Sequence, residues 1–231
     1  MEARVAQRGG RGARERILAS AGRLFYRHGI HATGIAALTA DAHVSTRTFY
    51  QHFASKDALV EAYLRRYETD LPLPVTRVLS RGDRPAAERL LAIFGPAEPA
   101  AGEVVRGCPF HNAAVEAAGD MPDVARVVER AKRAFRDQLI AVAAEAGAAD
   151  PGRLGSQLAV VYEGATALAT SCNDGTAFSD ARDAASVLIQ AACATGLTPR
   201  RRRPGAGPDC RGRAEPREGR PVRAAWRPRR R

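Results

Sequence analysis

The feature that most narrows the fold is a rhythm. Between Ala13 and Tyr67 apolar residues recur at three- and four-residue steps, in short runs broken by single turn-forming positions. Ile17, Leu18, Ala21, Leu24 and Phe25 fall on one face of a helix that runs from Ala13 to His28-Gly29, where Gly29 suits the C-cap. Thr33 is suited to N-cap a second, short helix, Gly34 to Asp41, with Ile35, Leu38 and Ala42 on its buried side. Ser45 or Thr46 caps a third helix reaching His52, with Phe49 and Tyr50 near its centre. Ser55 caps a fourth that starts at Lys56 and carries Leu59, Val60, Tyr63, Leu64 and Tyr67. Asp57 sits in its first turn, where a carboxylate complements the helix dipole, and Pro72 and Pro74 end it.

The rest of the chain keeps the helical period, and no segment alternates as a strand would. Helical segments are expected over Arg84 to Phe94, Phe110 to Ala118, Pro122 to Gly147, Pro151 to Ser171 and Ser179 to Thr195. A loop is expected over 96–107 and a turn at Asn173-Asp174-Gly175. The expected fold class is all-α: an N-terminal three-helix helix-turn-helix domain joined to a helical bundle. Boundaries follow from composition: a flexible arm over 1–12, the first domain over 13–71, the bundle over 72–198, and a disordered Arg, Pro and Gly-rich tail over 199–231.

The net charge of +11 over 231 residues is unevenly placed. Residues 1–67 carry 11 Lys and Arg against 5 Asp and Glu, residues 68–198 carry 12 against 17, and residues 199–231 carry 13 against 3. A basic head, an acidic middle and a very basic tail result, and only the head combines positive charge with a foldable pattern. No stretch reaches the roughly 18 uninterrupted apolar residues that would span a bilayer, and Met1 to Arg16 lacks the apolar core of a secretory signal, so a cytoplasmic location is expected. Cys108, Cys172, Cys193 and Cys210 are far apart and form no CxxC or Cys/His spacing. The expectation is reduced, mostly buried thiols, with no metal site and no cofactor.

Two short helices joined by a tight turn, Gly34 to Asp41 and Thr46 to His52, have the size and spacing of a helix-turn-helix. Ile35, Leu38, Ala42, Val44, Phe49 and Phe53 can pack inward, leaving Ser45, Thr46, Arg47, Thr48 and Gln51 to point away. Such side chains reach phosphates and base edges, with Arg47 the natural partner for guanine O6 and N7. The same pattern also suits an ordinary solvated face on a small helix.

The run Arg16-Ile17-Leu18, Ala21, Leu24-Phe25, Gly29, Thr33-Gly34-Ile35, Leu38, Ala42, Val44-Ser45 resembles the tetracycline-repressor (TetR) family of bacterial regulators. Thr48-Phe49-Tyr50-Gln51-His52-Phe53 and Ser55-Lys56-Asp57-Ala58-Leu59 are the most diagnostic part. The resemblance implies that Thr33 holds a phosphate through hydroxyl and backbone N–H, that Tyr50 reaches the DNA backbone, and that Lys56 adds charge there. Ser45, Thr46, Arg47, Thr48 and Gln51 would face bases, Ala36 and Ala37 would bring the preceding helix close to DNA, and His52 is open between packing and a phosphate contact. One departure is His43, where the family usually has Gly in the turn; a non-Gly residue at positive φ costs about 1 to 3 kcal/mol, less for His than for most.

The resemblance further implies a homodimer on a near-palindromic double-stranded operator. Pairing would run through the helices at about 151–171 and 179–195. There Leu154, Leu158, Val161, Tyr162, Ala165 and Leu168, with Ala184, Val187, Leu188, Ala191 and Ala192, exceed what one internal stripe needs. A small-molecule effector of unknown identity is expected in the second domain. Phe94, Cys108, Phe110, His111, Asn112, Val115, Glu116, Phe135, Leu139, Tyr162 and Thr166 are candidates for its cavity, or else plain core. Repression is the family default. The alternatives are a redox-sensing regulator using Cys108 and a non-specific nucleic-acid binder acting through the Arg-rich tail. Cys108, His111 and Glu116 occupy no catalytic motif, so an enzyme is not expected.

Overall fold

The structure is a computed structural model and describes residues 11–70, 72–95, 107–116 and 121–194, all within one compact unit. The expected tail over 199–231 and nearly all of the expected arm lie outside the described residues, as does Cys210. Ten helices follow in order among the described residues, with no strand. They are α1 (Arg11–His28), α2 (Ile35–Asp41), α3 (Thr46–His52), α4 (Lys56–Thr69), α5 (Pro74–Leu79), α6 (Ala86–Ala92), α7 (Pro109–Glu116), α8 (Pro122–Glu145), α9 (Pro151–Cys172) and α10 (Thr176–Cys193).

The all-α expectation holds, with local corrections. α1 begins at Arg11, two residues before the expected start. Gly34, not Thr33, N-caps α2, because the Thr33 hydroxyl turns back and donates to the Gly29 carbonyl at 2.7 Å. α5 was not anticipated, since Pro74 reads as a terminator; at the first helical position its fixed φ and missing N–H are instead favourable. The segment expected from Arg84 begins only at Ala86, and α10 begins three residues before Ser179.

Two hydrophobic cores hold these helices. One joins α1 to α4 through Ile17, Leu18, Leu38, Phe49, Leu59 and Tyr63, and takes in Phe110 and Ala113 of α7 and Val124, Val127 and Val128 of α8. The other gathers α5, α6, the second half of α8, α9 and α10 around Leu79, Leu90, Phe94, Leu139, Leu154, Leu158 and Ile189. α8 therefore runs from one core into the other, and α7 belongs with the first. A close approach fixes α8 against α9: a Cβ on Gly155 would stand 2.6 Å from the Ile140 side chain and 2.7 Å from its backbone nitrogen.

None of the three described cysteines is buried, which corrects the expectation of core thiols: Cys172 is exposed, and Cys108 and Cys193 are half-buried. Among the described residues no three His, Cys, Asp or Glu side chains gather as a metal site, and no helix is long and apolar enough to cross a membrane.

Candidate nucleic-acid interface and ligand cavity

α3 owes its position to one ring. Phe49 is 0% exposed, packs 6.0 Å from Phe53 and is met edge-on by Tyr50 at 5.3 Å. Leu38, Ala42 and Phe53 are buried with it, while Ile35 and Val44 pack partly buried at the margin. With that side anchored, Ser45, Thr46, Arg47, Tyr50 and Gln51 are exposed, and Thr48 and His52 are half-buried. Ser45 caps the helix, its Oγ accepting from the Thr48 amide at 3.0 Å. The exposed end of α3 is thus a short polar surface on a rigid support, of the size that enters a major groove.

The turn before α3 closes α2 with a Schellman motif. The His43 amide donates to the Ala40 carbonyl at 3.2 Å, and the Val44 amide donates to the Thr39 carbonyl at 3.0 Å. That pattern needs a left-handed residue at His43, whose φ is 51°. The expected departure from Gly is therefore a real left-handed imidazole residue. Arg16 secures the same turn by donating from Nε to the Ala42 carbonyl at 3.1 Å, and Arg23 pairs with Asp41 at 2.5 Å. Ser20, hydrogen-bonded to Asp41, and the Arg23 guanidinium hold the Asp41 carboxyl below its usual 3.8.

Thr33 lies 3% exposed with its hydroxyl proton committed to Gly29, so a phosphate there would have to meet the backbone rather than the hydroxyl. Ala36 and Ala37 are both exposed on α2. Lys56, at the start of α4, is half-buried and donates to the His31 carbonyl at 3.3 Å; its burial pulls the ammonium below the usual lysine range. His31, which the sequence did not single out, ties this region to α7 through Glu116, which is engaged there and not in the cavity lining where it was expected. The His31 amide donates to the Glu116 carboxylate at 2.9 Å, and the His31 ring meets the Glu116 carbonyl.

A cavity of about 420 Å³ lies among α4, α5, α7, α8 and α9. Its apolar walls include Tyr67, Leu73, Val75, Phe110, Phe135 and Tyr162, and its polar lining includes Glu68, Cys108, Arg130, Lys132, Gln138 and Glu163. Of the candidates read from sequence, Cys108, Phe110, Phe135 and Tyr162 line it. Phe94, Leu139 and Thr166 do not: they are 1%, 0% and 2% exposed and belong to the packed interior. His111 and Asn112 are half-buried on α7 outside the lining, and Val115 is 66% exposed. Lys132 was missed because a charge inside the apolar stripe of α8 reads as a break, yet its Nζ donates to Glu163 at 2.5 Å and to the Cys108 sulfur at 3.7 Å. Burial pushes the Tyr162 phenol well above its ordinary range, keeping it protonated.

On the outer side of α9, Val160, Gly164 and Leu168 repeat every fourth residue and are exposed, Val160 by 73% and Leu168 by 58%. Ala184, Val187 and Ala191, spaced three and four residues apart, are likewise exposed on α10, Val187 by 66%. The surplus apolar face is real but differently composed. Leu154, Leu158 and Ala165 are buried in the chain's own core, and Val160 joins in their place.

A capped polar helix held by a buried aromatic, preceded by a tight Schellman turn, defines a helix-turn-helix DNA-binding protein. Residues 17–63 match the model described as bacterial regulatory proteins, tetR family. The chain is 31% identical to a tetR-type transcriptional regulator, sav143, from Streptomyces avermitilis, over 75% of this chain and 97% of that one, with a TM-score of 0.63. It is 27% identical to SCO4454, a TetR-family regulator from Streptomyces coelicolor, over 79% and 96%, with a TM-score of 0.67. The reduced form of NemR from E. coli shares the fold at 20% identity, over 77% and 97%, with a TM-score of 0.67. None of the curated proteins is similar enough to the chain to count as a match. The chain belongs to the TetR family of DNA-binding transcriptional regulators. Members of that family dimerise, typically repress, and are in general not enzymes.

Proposed function

We propose that the protein is a homodimeric repressor that binds a near-palindromic operator through α3 and leaves it when a small molecule fills the cavity beside Phe110 and Phe135. The observation that carries this reading is the pairing of two exposed surfaces on one chain: a polar, capped α3 and an apolar stripe on α9 and α10. An apolar stripe of that kind in a regulator favours a subunit interface. Ser45, Thr46, Arg47, Thr48 and Gln51 face bases; Tyr50, Lys56 and His52 meet the DNA backbone, with Ala36 allowing close approach and Thr33 contributing its N–H. The DNA-binding domain spans 13–71 and the effector and dimer domain 72–198, with 199–231 adding at most non-specific affinity. The protein works in the cytoplasm and is not an enzyme.

A second reading rests on Lys132, whose ammonium lies 3.7 Å from the Cys108 sulfur in the cavity wall. In that reading Cys108 oxidation, not ligand occupancy, releases DNA; operator binding that responds to peroxide but not after Cys108→Ser would favour it.

Changing Val187 to Glu tests the main reading. Light scattering should give a dimer for the parent chain and a monomer for the variant, and operator affinity should fall by about 100-fold as bivalent binding is lost. A variant that stays dimeric with unchanged operator affinity would remove the proposed interface.

A further inference from the structure

The charges lining the cavity cancel in pairs. Arg130 reaches Glu68 from both Nε and Nη2 at 3.2 Å, and Lys132 reaches Glu163 at 2.5 Å. The second pair is the more enclosed, both side chains being more than two-thirds covered, and the His111 ring lies 3.8 Å from the other Glu163 oxygen. Between these pairs the surface is largely aromatic. Tyr67 meets Phe110 edge-on at 6.1 Å, and Phe135 meets Tyr162 at 5.2 Å, so two ring pairs face the same space.

A charged ligand entering such a space must either break an existing ion pair or leave its own charge without a partner in a low-dielectric surrounding, and both are costly. A neutral ring system loses nothing by comparison, and aromatic edges and faces reward it. Hydrogen-bonding capacity remains for an uncharged polar group. The Cys108 thiol lines the space, as does Gln138, whose amide nitrogen already donates to Thr76 and Ser80, and a protonated Tyr162 phenol stands at its wall. The volume of about 420 Å³ falls in the range of roughly 300 to 1,000 Å³ usual for small-molecule sites.

We propose that the cavity selects an uncharged, aromatic-ring-bearing ligand, and that Glu163 enforces this selection by neutralising Lys132 in the wall. The inference rests on the reading of this cavity as the effector site. It adds a chemical class to the effector and assigns Glu163 as its specificity-determining residue. Removing the carboxylate turns Lys132 into an unmatched cation facing the cavity, which makes the site a receptor for an anion of the same shape.

Three probes of matched ring and different charge decide the matter: 2-naphthol, 2-naphthoate and 2-naphthylmethylammonium, titrated calorimetrically into the full chain, its Glu163→Gln variant and its Ala134→Trp variant. Ala134 lines the cavity yet is exposed, so a bulky residue there fills the space with little demand on the core. The parent chain should bind the naphthol at least tenfold more tightly than either ion. Ala134→Trp should abolish that binding, and Glu163→Gln should raise naphthoate affinity at least tenfold over the parent. Ions that bind the parent as well as the naphthol does, and are lost in Ala134→Trp, would overturn the charge selection while leaving the cavity as the ligand site. No binding, or binding indifferent to Ala134→Trp, would overturn the cavity reading and the inference with it. A Glu163→Gln variant with unchanged charge preference would remove Glu163 from the role.

Discussion

The backbone N–H of His31 donates to the carboxylate of Glu116 at 2.9 Å, joining residues 85 positions apart. Glu116 ends α7, the helix whose other end places Phe110 in the cavity wall, and His31 lies in the turn that leads into α2. The same turn accepts the Lys56 ammonium on the His31 carbonyl at 3.3 Å. A single short helix therefore touches the proposed ligand at one end and the DNA-reading unit at the other.

Replacing Glu116 with Gln keeps the shape but weakens the charged acceptor. The free chain should bind operator with nearly parental affinity, while the ligand-induced loss of affinity shrinks by about fivefold, near the lower end of usual coupling energies. Fluorescence anisotropy with and without ligand measures both. Ligand release unchanged in the variant would place the coupling elsewhere.

Arg47 and Lys56 should fail in different ways. Arg47→Ala should cost about 1 to 3 kcal/mol on the best operator and relax preference at one base pair per half-site. Lys56→Ala should weaken all sequences alike and reduce the slope of log affinity against log salt by about one per bound subunit. A salt titration on specific and scrambled DNA separates the two.

His43 occupies a left-handed position at φ 51° inside the Schellman turn. His43→Gly should stabilise the chain by about 1 kcal/mol, which for a domain of this size raises Tm by about 2 to 4 °C. Differential scanning calorimetry reads the change directly; a lower Tm would mean that the imidazole makes a compensating contact.

Asp41 should show in acid. Its carboxyl is held below 3.8 first by the Ser20 hydrogen bond and then by Arg23, so it favours the fold above that value and ceases to as pH falls through the lowered value. Ser20 also donates to the Leu38 carbonyl at 3.2 Å. In Ser20→Ala the Asp41 titration, followed by carboxyl NMR, should move up toward 3.8, and the share of the acid-induced loss of stability that Asp41 carries should shrink.

Much of this was legible in the residues. Phe49 and Phe53, bracketing Tyr50, Gln51 and His52, announce which side of α3 is held and which is free, because a four-residue step returns to the same helical face. The left-handed turn at His43 was legible only through the family resemblance, which implies a Gly at that position. Thr33 was not, because a hydroxyl beside a helix start can cap forward or reach back, and only the position of the Gly29 carbonyl decides. The cavity was half legible. Phe110, Phe135 and Tyr162 read as aromatic surface, but Lys132 and Glu163 lie 31 residues apart on different helices, and their pairing is a tertiary fact. Val160 was overlooked for a related reason: α9 carries apolar residues on several faces, and only packing shows which face the chain's own core leaves uncovered.

The most direct test of the account is selection of bound sequences from a random duplex library by the full chain. The account predicts enrichment of a near-palindrome with two equal half-sites, and loss of preference at one position in each half-site in Arg47→Ala. An isolated half-site, or a library that emerges without sequence preference, would contradict it.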